Sequence, residues 1–203
     1  MPLPRLLAPL LIAPLLIVST AVPAPAQFQS EGYKFLQAVR DSKDDEVVAT
    51  LNKPGLTILN TRDVTTGEGA LHIVIKRGDA RYLVTLLQKN ADPNLRDGKG
   101  NTPMLLAATL GETDLIHLLS LAKANPNLGN SAGETPLIRA VQRRDMAMVR
   151  ELIADGADPD QADIIAGRSA RDYAEQDTRN PAIAKFLAET PKKARRAVTG
   201  PKF

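Results

Sequence analysis

From Tyr33 onward the apolar residues come in short bursts, each bounded by Gly, Pro, Asn or Asp. One kind of burst opens on a threonine before a proline: Thr102-Pro103-Met104-Leu105-Leu106-Ala107 and Thr135-Pro136-Leu137-Ile138-Arg139-Ala140. Threonine there is placed as an N-cap, and proline as the first helical residue, where its missing N–H costs nothing. The Met104–x–x–Ala107 and Leu137–x–x–Ala140 spacing puts apolar side chains on one face of a short helix. Gly78 and Gly111 stop such a helix, because positive φ is cheap for glycine. A second burst then follows in each case: Tyr82–Leu87, Leu115–Leu119 and Met148–Ile153, the last closed by Gly156. None of these helices can bury its stripe alone, so stability must come from stacking on neighbours.

The bursts repeat with a fixed period. Gly69-Ala70-Leu71-His72, Thr102-Pro103-Met104-Leu105 and Thr135-Pro136-Leu137-Ile138 start 33 residues apart. Ala91-Asp92-Pro93-Asn94, Ala124-Asn125-Pro126-Asn127 and Ala157-Asp158-Pro159-Asp160 keep the same register. Two unrelated motifs in phase resemble the ankyrin repeat, over about Gln29 to Glu189. Gly167–Ala174 matches a last repeat after a one-residue insertion, and Tyr33–Ala38 a first, with three extra residues around Asn52 to Glu68. The resemblance implies an all-α solenoid of about five helix–loop–helix units joined by hairpin loops, spanning 27–190.

Departures from the pattern carry expectations of their own. Gly69 stands where a capping threonine belongs, while Asn90, Lys123 and Arg144 occupy glycine positions, which predicts looser helix ends. Asn180-Pro181 reads as cap and first residue of a capping helix with Ile183, Phe186 and Leu187 inward. Residues 191–203 are charged and aperiodic, and read as a disordered basic tail.

The N-terminus differs from all of this. One early charge, Arg5, precedes an apolar run from Leu6 to Val18 and then Ala24-Pro25-Ala26. That is the layout of a secretory signal over 1–26, releasing a mature chain at Gln27. The run is too short for a spanning helix, which needs roughly 20 residues, and Pro9 and Pro14 interrupt it. Export to a bacterial periplasm is the expectation, with secretion to act on a host protein as the alternative. No membrane association is expected after cleavage.

Composition narrows the function. Cysteine is absent, which removes disulfides, thiolate nucleophiles and Cys-ligated zinc. The net charge is +3 and aromatics are 3%, so neither a strong basic field nor stacking platforms favour nucleic acid. The two histidines, His72 and His117, lie in different repeats without metal-ligand spacing. His72 holds the position for which the resemblance implies bonding to neighbouring backbone. Asp155, Asp158, Asp160 and Asp163 fail the spacing of a calcium loop, and Ser169 falls where its closing glutamate belongs. Asp97-Gly98-Lys99-Gly100-Asn101 lacks the P-loop pattern and reads as a hairpin tip. No nucleophile–base pair is visible, so neither an enzyme nor a cofactor is expected. An unrecognised enzyme or metal-dependent factor is the competing class.

The resemblance implies instead a protein partner, held on the concave face of hairpin tips and first helices. Carried over by position, the contact residues are Arg40, Thr65, Thr66, Glu68, Lys76, Arg77, Lys99, Asn101, Thr109, Leu110, Ser131, Glu134, Gln142, Arg143, Ile165 and Arg168. Arg40, Lys76, Arg77 and Arg143 recur at equivalent helix positions as a basic stripe suited to an acidic surface. Adjacent Ile164 and Ile165 in a loop are a candidate hot spot if exposed.

Overall fold

The computed structural model describes residues 30–53 and 58–192. The expected signal segment lies outside them, as does the tail beyond Lys192. Ten α-helices are present among the described residues: α1 (Glu31–Arg40), α2 (Asp44–Leu51), α3 (Ala70–Lys76), α4 (Ala80–Gln88), α5 (Pro103–Leu110), α6 (Thr113–Leu121), α7 (Pro136–Arg143), α8 (Met146–Ala154), α9 (Ala170–Gln176) and α10 (Pro181–Glu189). They form five antiparallel pairs. First helices stack in the order α1, α3, α5, α7, α9, and α4, α6 and α8 form a second layer behind them.

The core lies between the layers. Leu71, Met104 and Leu137 repeat on the inner face of the first helices, and Leu83, Ile116 and Val149 answer from the second, all essentially buried. Each fully buried leucine or isoleucine contributes about 1.5–3 kcal/mol. The Thr102 and Thr135 hydroxyls accept from the N–H of Leu105 and Ile138, as the sequence predicts for N-caps. Gly69 supplies no side-chain cap.

Two of the expected irregularities turn out differently. Asn90, Lys123 and Arg144 do adopt left-handed φ, at 67°, 63° and 59°. Their helix ends are nevertheless closed: Arg144 N donates to Val141 O and Asp145 N to Ala140 O, the pair also made at Gly78 and Asp79. The departure from glycine therefore costs backbone strain without loosening the hydrogen bonding. Asn180 precedes α10 as expected, but its side chain makes no capping bond.

Two ladders of hydrogen bonds lock the repeats in register. Asn60, and Asn94 and Asn127 of the Asp/Asn-Pro-Asn motifs, accept through Oδ1 the backbone N–H of Asp92, Asn125 and Asp158, respectively, in the following repeat. At the hairpin tips, Gly98 N donates to Thr66 O, Ser131 N to Lys99 O and Ile164 N to Ala132 O, at 2.8–3.0 Å. The first tip contact requires glycine: a Cβ on Gly98 would sit 2.7 Å from Thr66 O.

The end of the array departs from the inner repeats. Arg171 occupies the position held by Leu71, Met104 and Leu137 and is itself buried. Its Nε donates to Asp160 Oδ1 at 2.8 Å, and its guanidinium donates to the carbonyls of Leu187 and Thr190 at the end of α10. One buried arginine thus ties the last loop to the capping helix, whose Ile183 and Leu187 are buried.

Candidate functional site

The hairpin tips are built by a side chain as well as by backbone. Asp63, Asp97, Asn130 and Asp163 stand at the base of successive tips, and Oδ1 of each accepts two backbone N–H groups of its own loop. The loop is closed behind it by a backbone bond, such as Asp97 N to Asn101 O. At the three aspartates these bonds favour the ionised form. Donation from Thr66 N, the Arg40 guanidinium and Thr65 N holds the Asp63 carboxyl far below its usual range. Burial alone would raise Asp97, but bonds from Asn101 and Lys99 keep it low. Three of the four aspartates that fail the calcium-loop spacing are spent similarly, Asp158 on Asp160 N, Asp160 on Arg171, and Asp163 on its tip and the Tyr173 hydroxyl, while Asp155 Oδ2 is buried without a hydrogen-bond partner.

His72 has the role that the resemblance implies. It is fully buried; Nδ1 accepts the Gly69 N–H at 3.2 Å and Nε2 faces Asn101 O at 3.0 Å. That pairing assigns the proton to Nε2. The ring takes the N–H of Gly69 itself, the reciprocal half of a capping box, and joins repeats two and three, while burial pushes its pKa below 6.5. His117 is exposed and reaches Glu151 at 2.6 Å across α6 and α8, which raises its pKa. Among the described residues no group of three His, Cys, Asp or Glu is placed to hold a metal.

Between the tips and the first helices runs a groove of about 780 Å³. Of the sixteen residues carried over by position, Thr65, Thr66, Glu68, Lys76, Lys99, Asn101, Thr109 and Glu134 line it. Asp97, Gly98, Leu106, Asn130 and Arg139 line it too, outside the sixteen. The period of 33 from Asp97 to Asn130 to Asp163 was the available signal for two of them. Arg40, Arg77, Leu110, Ser131, Gln142, Arg143, Ile165 and Arg168 lie outside the groove lining. Of these, Ser131 and Ile165 are at exposed tips, Leu110 is 43% exposed, and Arg168 lies over the Tyr173 ring at 6.0 Å. Gln142 accepts from Arg139. Ile164 and Ile165 are 75% and 83% exposed, which meets the condition on which they were a candidate hot spot.

The basic stripe is largely consumed by the scaffold. Arg40 pairs with Asp63 at 2.6 Å, and Lys76 pairs with Glu68. Arg77 donates to Val39 O in the preceding repeat and to Asp79, with its guanidinium 5.5 Å from the Tyr82 ring. Arg143 donates to Thr109 O in the repeat before it. Both arginines thus satisfy a carbonyl at the C-terminal end of a neighbouring first helix, where positive charge is favoured. Lys99 is different: it is exposed, and only its backbone is engaged.

Stacked helix pairs with laced hairpin tips define a repeat solenoid with an open groove along one face. A family model described as Ankyrin repeats (3 copies) matches residues 35–130, 71–163 and 106–196. The chain belongs to the ankyrin-repeat family, whose repeats serve generally as protein–protein interaction modules.

Proposed function

We propose that this chain is an exported, non-catalytic binding module that holds a folded protein partner against its hairpin tips and groove. The observation that carries the reading is the division of labour among side chains. Carboxylates and amides at the tip bases build the scaffold, while Thr65, Lys99, Ser131 and Ile165, on four successive tips, are exposed. Export rests on the sequence of residues 1–26, and a periplasmic regulator, inhibitor or scaffold follows from it.

The test is cross-linked capture from periplasmic extract with chain beginning at Gln27, beside an Ile164→Ser/Ile165→Ser variant of unchanged Tm. One protein captured by the parent and lost by the variant is the expected result. Equal capture by both removes the tips from the binding surface, and capture by neither contradicts the binding role in that compartment.

A further inference from the structure

We infer that the fourth hairpin tip is an open edge to which an extended segment of the partner adds, pairing with the backbone of Ile165. The segment lays a branched apolar side chain on Ile164 and Ile165 and sets a lysine or arginine in an adjoining acidic recess. This rests on the protein-binding reading and specifies the backbone and side-chain chemistry that the partner presents there.

The inner tips follow one rule. Each gives an N–H back to the tip before it and, from the next residue, a C=O forward to the tip after it: Gly98 then Lys99, and Ser131 then Ala132. Ile164 keeps the first half, donating to Ala132 O at 2.8 Å. Ile165 holds the place of the forward acceptor, and no tip follows it among the described residues. Its N–H departs from the rule as well. In the second and third tips the corresponding N–H, of Lys99 or Ala132, is taken by Oδ1 of Asp97 or Asn130 at the tip base. The fourth tip is one residue longer. Asp163 Oδ1 therefore accepts from Ala166 and Gly167, and the loop closes from Asp163 N to Arg168 O. Neither the N–H nor the C=O of Ile165 has a partner among the described residues.

The surroundings of this edge select what covers it. Ile164 and Ile165 are the exposed aliphatic pair beside it. Unpaired main-chain groups flanked by branched side chains suit an extended chain, whose backbone supplies affinity and whose side chains supply choice. Beyond Gly167 of the same tip lies a recess of about 490 Å³, in which Asp158, Asp160 and Asp172 face the single ammonium of Lys192. Asp160 is spent on Arg171. Asp158 and Asp172 each keep one carboxylate oxygen without a hydrogen bond, and neither residue is buried. A cationic side chain on the added segment complements that recess.

The probe is the peptide Thr-Val-Thr-Val-Thr-Lys-Thr, titrated into the full mature chain labelled with 15N and followed by NMR, beside its Glu-for-Lys counterpart. The Ile165 amide should exchange rapidly with water in the free chain, then shift and gain protection as the lysine peptide is added. The glutamate peptide should bind roughly tenfold more weakly. A chain lacking Ala166 keeps both isoleucines and every charge but restores the Asp-x-x-Gly spacing of the second tip. Its Tm should not fall, and its affinity for the lysine peptide should drop roughly tenfold, because the Ile165 N–H returns to Asp163. Equal binding by the parent and the chain lacking Ala166 overturns the inference, as does equal affinity for the two peptides. Protection of Ile165 that grows with chain concentration in the absence of peptide makes a second copy the occupant and overturns it too. If a protein is captured from extract while the peptide leaves Ile165 unshifted, the edge fails and the binding role stands.

Discussion

At the scale of single residues, the two histidines should titrate in opposite directions. Burial lowers the His72 pKa, so the unfolded chain takes up its proton first, and stability falls as pH drops below about 6.5 toward the folded value. His117 is raised by Glu151, so its contribution is full below about 6.5 and disappears as pH rises through the folded pKa. NMR titration of the two imidazoles should place His72 below 6.5 and His117 above it. The Tm gap between the parent and His117→Gln should be present near pH 5.5 and closed by about pH 9. Arg143 makes a further point at this scale. Its bond to Thr109 O predicts that Arg143→Ala lowers stability by about 1 kcal/mol in urea unfolding, before any partner is involved. Sequence position assigned that arginine to a binding stripe, because position says which face a side chain starts from and not where its end settles.

At the scale of elements, the repeats are held by their ladders as much as by their cores. Asn127 accepts the Asp158 N–H and donates to Gly156 O. Asn127→Ala should therefore cost about 1–3 kcal/mol, with hydrogen exchange accelerating first in α8 to α10. Arg171→Ala should cost about 1–3 kcal/mol, since it leaves the partly exposed Asp160 and the carbonyls of Leu187 and Thr190 without their donor. Protection in α10 should be lost before that of α5 and α7. The 33-residue period, the proline-led helix starts and the left-handed helix ends were all legible, because each is dictated by local backbone chemistry. Arg171 was not. A residue in the slot of a core leucine reads as a lapse in the pattern until Asp160 and the end of α10 are seen converging on it.

At the scale of the whole molecule, five stacked helix pairs present two faces of different character. The tip face is polar, with the exposed Ile164 and Ile165 at one end. The opposite layer shows a shallow apolar depression of about 280 Å³ between α4 and α6, with Leu121 66% exposed. The fold was readable because a repeat states its rule several times over, and one period fixes the architecture. The groove was half readable. Family positions located Lys99, Asn101 and Glu134, but Arg139 enters it from within a helix whose sequence marks it only as a polar break in an apolar stripe. The central claim is that partners meet the tip face. Photo-cross-linking residues placed one at a time at Ile165, Lys99 and Leu121 of the mature chain, in periplasmic extract, test it most directly. Adducts to one common protein from positions 165 and 99, and none from 121, are predicted. Adducts from 121 alone, or from none of the three, would contradict it.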